Sequence, residues 1–218
     1  HSEEMTARAK DAFKAITDGR LWIQKAKERG DPTLSLRGKD VIDLTPLAEL
    51  TQLTELGIYE IRATNFSPLK RLTKLTTLKI RQSPISDINS LASLTSLREL
   101  ELFMNRKLTN FQPLAQLTTL TKLHIAGNKI EDLSFLKELS NLQQLNLESN
   151  KVTDLTALTN LRKLTTLSLA NNMVADITPL TKMTHLIELD LRANPISLDQ
   201  QAMLSKALSN CHILFNAR

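Results

Sequence analysis

Cysteine, glycine and aromatic residues are scarce in this 218-residue sequence, and each scarcity excludes a class of structure or chemistry. The single cysteine, Cys211, cannot form an internal disulfide. The five glycines are scattered and form no Gly-rich loop of the kind that cradles a phosphate group. No apolar run approaches the roughly 18 residues that a membrane-spanning helix requires. We therefore expect no disulfide framework, no nucleotide-binding loop and no membrane span.

Residues that could carry catalysis or bind a metal are also few and poorly spaced. Adjacent residues of a strand point to opposite faces, so Cys211 and His212 cannot act together as a nucleophile and its base. Cys211 is instead expected to be a small buried apolar residue of a C-terminal cap. The four histidines have no spacing that would bring two of them to one metal: His1, His124, His185 and His212. We therefore expect no enzymatic activity, no metal and no cofactor.

The net charge of +5 is small, and the basic residues are dispersed along the chain. Basic residues such as Lys79 alternate with carboxylates such as Glu99 and Glu101, which we expect to form a solvated face. The excess positive charge lies in small clusters such as Lys70–Lys74. A nucleic-acid-binding protein would gather its basic residues on one face. We therefore expect no nucleic-acid partner.

What the sequence has in abundance is leucine at a fixed period. Leucines 22 residues apart each begin a Leu-x-(Leu/Ile) pair, with one step of 23 between the fourth and the fifth. These leucines are Leu34, Leu56, Leu78, Leu100, Leu123, Leu145, Leu167 and Leu189. Alternation sends both members of a pair to one side of a short strand, so neighbouring turns must stack to bury them. The pattern predicts a solenoid of eight turns with parallel strands along one face.

A second set of positions marks the loops between the predicted strands. Five residues after the first leucine, the last five turns carry an asparagine: Asn105, Asn128, Asn150, Asn172 and Asn194. We expect these asparagines to point inward and to satisfy backbone groups of the adjoining coil. Further on, an Asp or Asn followed two residues later by Ser or Thr, and in places by Pro, predicts a short 3₁₀ turn on the convex side. In the first three turns Lys39, Ile61 and Ser83 replace the asparagine, through either a different loop geometry or a role in contacts.

These motifs resemble the leucine-rich repeat family, in the short 22-residue class of bacterial internalin-like proteins and of a eukaryotic phosphatase regulator. The resemblance implies an α/β solenoid with a parallel sheet on its concave face, short 3₁₀ turns on its convex face and a helical cap at each end. We expect one structural domain made of an N-terminal helical cap (1–31), the repeats (32–196) and a C-terminal cap (197–218).

Helical patterns at the two ends predict the caps. The apolar stripe of the first helix is Met5, Ala9, Ala12, Phe13 and Ile16. Gly19 is expected to end this helix and to separate it from a second one. Trp22, in the second helix, is interpreted as a cap residue packed on the first turn rather than as a binding anchor. Near the C-terminus we expect Ser197 or Asp199 to cap a helix and residues 212–215 to add a last short strand.

One strip of outward-facing positions is rich in aromatic and basic side chains. The position after each Leu-x-Leu pair places Tyr59, Arg81 and Phe103 on neighbouring strands, within roughly 10 Å. Gly57 is expected to leave a gap beside Tyr59 that a partner side chain could enter. Phe103 has the opposite parity from the leucines, so it does not belong to the core. It either forms part of an interface, or it merely covers Met104 or packs on the stems of Tyr59 and Arg81. We favour the interface, because an exposed aromatic beside an arginine is typical of interface hot spots.

The step of 23 residues adds one residue after Asn105, where Arg106 and Lys107 replace the single residue of other turns. Because the addition follows the strand, we expect the strand to keep its register and the loop to bulge beside the strip. The candidate partner-binding residues are Tyr59, Lys79, Arg81, Glu101, Phe103, Met104, Lys107 and His124.

These expectations favour a non-enzymatic, monomeric module that binds a partner protein on its concave face, as the resemblance to bacterial internalin-like proteins implies. The same resemblance leaves open an intracellular regulatory subunit that docks on a phosphatase, and a structural or carbohydrate-binding surface module is a third alternative. No signal peptide is recognisable, but a leader that had been removed would leave none. The resemblance to bacterial internalin-like proteins favours a secreted or periplasmic location over a cytoplasmic one.

Overall fold

Nine parallel strands form a single sheet in sequential order in the computed structural model, which describes residues 19–216 of the chain. The strands are β1 (Thr33–Arg37), β2 (Glu55–Tyr59), β3 (Thr77–Arg81), β4 (Glu99–Phe103), β5 (Lys122–His124), β6 (Gln144–Asn146), β7 (Thr166–Ser168), β8 (Glu188–Asp190) and β9 (His212–Leu214). Strands β1 to β4 contain both members of their leucine pair, β5 to β8 contain the first leucine of the pair, and β9 is the predicted last strand. The solenoid of stacked turns with parallel strands, predicted from the period, is confirmed.

Each strand pairs with the next in the register that the period predicts. Leu56 is aligned with Leu78, and Leu78 with Leu100, so the leucines of successive turns stack on one another. The inward residues of β2 to β8 are almost completely buried and form one continuous core with the leucines of the convex side. The added residue falls in the loop between β4 and β5, so Leu100 still aligns with Leu123.

A short 3₁₀ turn crosses the convex side between successive strands from β1 to β8. The seven turns are Thr45–Glu49, Ser67–Arg71, Asn89–Ser93, Gln112–Gln116, Ser134–Glu138, Thr156–Asn160 and Thr178–Lys182. In each turn the first residue donates its backbone N–H to the side-chain oxygen of an Asp or Asn two residues earlier. Thr156, for example, donates to Oδ1 of Asp154 at 2.8 Å. The repeated Asp/Asn therefore starts the 3₁₀ turn by accepting an otherwise unpaired N–H.

The five asparagines form the predicted ladder of buried side chains. Oδ1 of Asn150 accepts hydrogen bonds from the backbone N–H groups of Asn128 and Ile130, both at 3.0 Å. Its Nδ2 donates to the carbonyls of Ile125 and Leu147, at 3.1 and 2.8 Å. Each asparagine thus joins the backbone of its own turn to that of the preceding turn.

Where Ile61 replaces the asparagine, the loop uses backbone partners instead. The backbone N–H of Val41 donates to the carbonyl of Gly38 at 3.1 Å, whereas the equivalent N–H groups of Ile130 and Val152 donate to the asparagine of the next turn. In the third turn the hydroxyl of Ser83 donates to the carbonyl of Arg81 at 2.9 Å, a bond within its own loop. Loop geometry therefore accounts for the hydrogen bonds of these two turns.

The loop residue that precedes the asparagine position has a left-handed backbone in every turn, which the sequence did not indicate. Glycine, the residue that adopts this conformation without strain, occupies the position only as Gly38 and Gly127. In the other six turns, φ lies between 48° and 57° at Glu60, Gln82, Met104, Ser149, Asn171 and Ala193. The solenoid therefore imposes this conformation on residues that do not favour it.

The N-terminal cap, within the described residues, is helix α1 (Arg20–Arg29). It begins directly after Gly19, which has a φ of 84°. If Gly19 had a Cβ atom, that atom would lie only 3.0 Å from a methyl group of Val41, so the absence of a side chain leaves room for Val41. Ile23 and Ala26 are buried, whereas Trp22 is 39% exposed. The interpretation of Trp22 as the packed cap residue is therefore wrong, because Ile23 and Ala26 occupy the buried side of α1. The predicted preceding helix, with Met5 to Ile16, lies outside the described residues.

The C-terminal cap is helix α2 (Leu198–Ala207) followed by β9. The hydroxyl of Ser197 accepts the backbone N–H of Gln200 at 3.3 Å, so Ser197 is the N-cap of α2. Leu204 and Leu208 are buried against the last turn. No helix within residues 19–216 is long and apolar enough to cross a membrane.

Candidate functional site

Six of the eight candidate residues lie on the concave face of β2 to β5: Tyr59, Lys79, Arg81, Glu101, Phe103 and His124. The strand register aligns Tyr59 with Arg81 and Arg81 with Phe103, which forms the expected strip on neighbouring strands. Met104 and Lys107 follow in the loop after β4, at the edge of the sheet.

Two guanidinium groups contact the ring of Tyr59. Cζ of Arg37 lies 5.1 Å from the ring centroid, and Cζ of Arg81 lies 5.7 Å from it. A cation at this distance from an aromatic face is attracted by the ring quadrupole. The strip therefore extends one strand further than expected, to Arg37 on β1.

The space over Gly57 is occupied by the ring of Tyr59. An ideal Cβ at Gly57 would lie 2.6 Å from both Cε2 and Oη of Tyr59. A cleft of about 250 Å³, lined by both Gly57 and Tyr59, nevertheless lies beside the ring, so the ring narrows the expected gap without removing it. Gly57 allows the Tyr59 ring to lie flat against the strand, because any larger residue would collide with it.

Arg81 and Glu101 form a bidentate ion pair at the centre of the strip. Nη2 of Arg81 donates to Oε2 of Glu101 at 2.7 Å, and Nε lies 2.5 Å from Oε1. Glu101 raises the pKa of Arg81, chiefly through this hydrogen bond. Although Glu101 faces the concave side, it is only 5% exposed. The expectation of a solvated carboxylate is wrong for Glu101, because neighbouring side chains cover it.

The ring of Phe103 contacts His124 on the next strand, with centroids 5.6 Å apart and planes tilted by 57°. Nδ1 of His124 lies 3.8 Å from Oε1 of Glu101. Burial lowers the pKa of His124 despite the opposing attraction of this carboxylate. His124 is therefore predominantly neutral at pH 7 and supplies Phe103 with an aromatic neighbour rather than a charge.

Lys79, the remaining candidate residue on the concave face, forms an ion pair with Glu99. Its Nζ lies 2.9 Å from Oε1 of Glu99, and this hydrogen bond raises the pKa of Lys79. The basic residues in the middle of the strip are thus matched by carboxylates. The site presents half-buried aromatic rings among ordered charged groups rather than a net positive field.

A shallow cleft of about 360 Å³ continues the site along the concave face. Glu101 and His124 line one end, and Asn146, Thr166 and Ser168 line the other. These last three residues were not among the candidates predicted from the sequence. The available signal was the run of small and polar side chains at the outward positions of β6 and β7.

The added residue in the fourth turn is absorbed by a tight loop turn. The backbone N–H of Leu108 donates to the carbonyl of Asn105 at 2.9 Å, which closes a turn around Arg106 and Lys107. Both side chains are exposed. Met104, one residue before Asn105, packs over Gly127, where an ideal Cβ would lie 2.9 Å from Cγ of Met104. Met104 and Lys107 therefore face the edge of the sheet, beside the strip but outside its contacts.

Groups suited to catalysis are not assembled in the part of the chain that the structure describes. Cys211 is half-buried against the core, and burial raises the pKa of its thiol, which disfavours the reactive thiolate. Within residues 19–216, no three His, Cys, Asp or Glu side chains are grouped so that they could hold a metal ion.

The parallel sheet, the convex 3₁₀ turns and the asparagine ladder define a leucine-rich repeat solenoid. The model of the family described as "Leucine Rich repeats (2 copies)" matches residues 118–160 and 162–201. The solved structure of internalin C2 from Listeria monocytogenes is 31% identical, with a TM-score of 0.83 over 93% of this chain and 96% of that one. The chain belongs to the leucine-rich repeat family, in its internalin-like class. Proteins of this family are generally protein-interaction modules.

Two further solved structures are similar to this chain over a smaller share of their own length. An internalin (inlF) from Listeria monocytogenes is also 31% identical, with a TM-score of 0.73; the match covers 80% of this chain but only 57% of that one. A leucine-rich repeat protein of Leptospira interrogans shares the fold at 23% identity, with a TM-score of 0.53 over 84% of this chain and 60% of that one. No curated protein sequence gives a significant match.

Proposed function

We propose that this chain is a non-enzymatic binding module that holds a partner protein on its concave face, with Tyr59, Arg81 and Phe103 as the anchor. The observation that carries the proposal is the strip itself, in which half-buried aromatic rings stand beside ordered arginines. Tyrosine and arginine are enriched among the residues that dominate binding free energy at interfaces. Core packing gives no reason for these residues, since their side chains lie on the face opposite the leucines.

Ordering of the strip before binding supports this proposal. Tyr59 is held between Arg37 and Arg81, and Arg81 is held by two contacts with Glu101. Side chains that are already ordered lose less conformational entropy when a partner binds. The anchor is therefore suited to bury its rings with little reorganisation.

The adjoining cleft supplies a place for a protruding side chain of the partner. Besides the charged side chains of Glu99, Glu101 and Lys122, its walls carry the amide and hydroxyl groups of Asn146, Thr166 and Ser168. These groups accept and donate hydrogen bonds without a net charge. We propose that a polar side chain of the partner enters this cleft while apolar atoms cover Tyr59 and Phe103.

The test begins with recovery of the partner by pull-down and mass spectrometry, followed by surface plasmon resonance on the purified pair. Tyr59→Ala and Phe103→Ala should each weaken binding by at least about 2 kcal/mol, the range of interface hot spots. Thermal melts should change little, because these side chains lie outside the leucine core.

The matched control is Glu148→Ala, at the equivalent outward position two turns beyond Phe103. Glu148 is exposed and forms no side-chain ion pair within residues 19–216. This variant should bind as the parent does. If Phe103→Ala binds normally while Glu148→Ala does not, the anchor lies in the C-terminal half and the proposed strip is wrong.

A further inference from the structure

A second groove, of about 650 Å³, lies outside the concave face, at the edge where β2, β3 and β4 end. Apolar side chains from three successive turns, Ile61, Pro84 and Met104, contribute to its lining. Basic side chains also line it: Arg62, Arg106 and Lys107. We refer to this surface as the edge groove.

Most departures from the repeat pattern converge on the edge groove. Ile61 and Ser83 stand where later turns have the ladder asparagine, and the added residue of the fourth turn places Arg106 and Lys107 beside them. Of the four departures in the loops, only Lys39 in the first turn does not line this groove. Departures tolerated at random would be expected to scatter along the solenoid. Their convergence indicates a shared surface.

The basic groups of the edge groove are unpaired. Within residues 19–216, no ion pair or side-chain hydrogen bond engages the guanidinium groups of Arg62 and Arg106 or the ammonium group of Lys107. No carboxylate lines the edge groove. Glu131 and Asp132 line an adjacent groove on the other side of the bulged loop, and Arg106 lines both grooves. The concave strip, by contrast, pairs Lys79 and Arg81 with carboxylates.

We propose that the edge groove is a second docking surface, for an acidic protein segment that carries an apolar side chain between carboxylates. The apolar side chain would pack on Pro84 and Met104, since Ile61 is only 4% exposed, and the flanking carboxylates would face Arg62 and Lys107. Charge complementarity carries this choice, since the groove offers unpaired cations around an apolar floor. No aromatic side chain lines the groove to stack on nucleobases, so single-stranded nucleic acid is the less suitable occupant. The surface goes beyond the proposed concave-face function and does not depend on it.

The test uses the full chain and a fluorescein-labelled peptide with a central leucine flanked on each side by two glutamates. Fluorescence anisotropy should rise to saturation, and the affinity should fall as salt is added, because exposed charges are screened. Arg62→Glu combined with Lys107→Glu should weaken binding by about tenfold. Deletion of Lys107, which restores the 22-residue spacing, should also weaken binding if the bulge forms the groove.

Two controls keep the interpretation specific. Lys70→Glu combined with Lys182→Glu makes the same charge change on exposed residues of the convex 3₁₀ turns and should leave the affinity unchanged. A peptide with serine in place of the central leucine should bind several-fold more weakly.

Four results would overturn the proposal. The first is an equal loss in the convex control, and the second is an unchanged affinity in the Arg62→Glu, Lys107→Glu variant. The third is a single-stranded oligonucleotide that binds as tightly as the peptide and loses as much affinity in the Arg62→Glu, Lys107→Glu variant. That result would assign the groove to polyanions in general. The fourth is loss of peptide binding in Tyr59→Ala with Phe103→Ala, which would move the peptide to the concave strip. Retained peptide binding in that double variant separates this inference from the proposed function.

Discussion

Single side chains supply hydrogen-bond partners to the buried backbone groups of each turn. The side chain of Asn150 forms hydrogen bonds with five backbone groups of two turns, whereas Ser83 donates one side-chain hydrogen bond, to the carbonyl of Arg81. Buried backbone groups that lose their partners carry the full cost of desolvation. The two positions are therefore equivalent in the repeat but unequal in their contribution to stability.

Asn150→Ala should lower the free energy of unfolding by about 1–3 kcal/mol, because it leaves buried N–H and C=O groups without partners. Ser83→Ala should cost less, because only the carbonyl of Arg81 loses a side-chain partner. Urea denaturation of both variants measures the difference. Equal losses at the two positions would contradict this account of the ladder.

Backbone conformation at the position before the asparagine is a second residue-scale property. Ala193 has a φ of 54° and is exposed, so its side chain gives little packing in return for the left-handed conformation. The left-handed region costs a non-glycine residue roughly 1–2 kcal/mol relative to glycine. Glycine adds conformational freedom to the unfolded chain, which offsets about 0.4–1 kcal/mol of that gain.

Ala193→Gly should therefore raise the free energy of unfolding, by about 0.5–1 kcal/mol after the offset. The matched control is Ala175→Gly, an exposed loop position whose φ is not positive. That variant should be less stable than the parent, because glycine increases the conformational entropy of the unfolded chain and relieves no backbone strain in the folded one. Thermal melts of both proteins measure the effects, and a change of the same sign in both would refute the role of backbone strain.

At the scale of the element, each 3₁₀ turn depends on the Asp or Asn that precedes it. Hydrogen bonds from the hydroxyl and the backbone N–H of Thr156 lower the pKa of Asp154, and Ser134 and Thr178 do the same for Asp132 and Asp176. A carboxyl group whose pKa is lower in the folded state binds fewer protons there than in the unfolded state. Its contribution to stability is present above the unfolded pKa, near 3.9, and is lost as the pH falls through the folded pKa.

Acidification from about pH 5 towards pH 2 should therefore lower the urea midpoint, and the triple variant Asp132→Asn, Asp154→Asn, Asp176→Asn should lose less over this range. Asparagine keeps the oxygen that accepts the backbone N–H but does not titrate. The chain contains its own precedent, since Asn65 and Asn110 accept the equivalent bonds, from Ser67 and Gln112, at 3.0 Å. Identical pH dependence in the parent and the variant would show that these three carboxylates do not set acid stability.

At the scale of the whole molecule, the solenoid is a one-dimensional stack in which each turn buries the leucines of its neighbours. The core runs without interruption from Ile23 in α1 to Leu208 after α2. The strand order is sequential, so only the two ends of the stack need separate cover. Helices α1 and α2 provide that cover within the described residues.

Deletion of residues 1–29 removes the N-terminal cover, including Ile23 and Ala26, and exposes the first turn. We expect aggregation or a markedly lower melting temperature, because terminal turns of a solenoid require a cap. Circular dichroism melts and light scattering compare the truncated chain with the parent. A truncated protein that melts like the parent and stays monomeric would show that the segment is an appendage.

The sequence alone determined the architecture, because the 22-residue period repeats the same local chemistry in each turn. The Leu-x-Leu pairs specified the strands and their register, the asparagines specified the ladder, and the Asp/Asn positions specified the 3₁₀ turns. The strip of Tyr59, Arg81 and Phe103 also followed from alternation, since strand parity decides which side chains leave the core. These features depend on contacts between equivalent positions, which a regular period makes predictable.

Only the tertiary structure decided how non-equivalent side chains meet. Glu101 is buried because Arg81 and His124 from neighbouring strands lie against it, and the ring of Tyr59 lies over Gly57. The left-handed backbone at Met104 is imposed by the closure of the turn, although its side chain favours another conformation. The edge groove combines residues of three turns, from Arg62 to Lys107. Side-chain conformations and the packing of adjacent turns set these contacts, and neither leaves a periodic signal in the sequence.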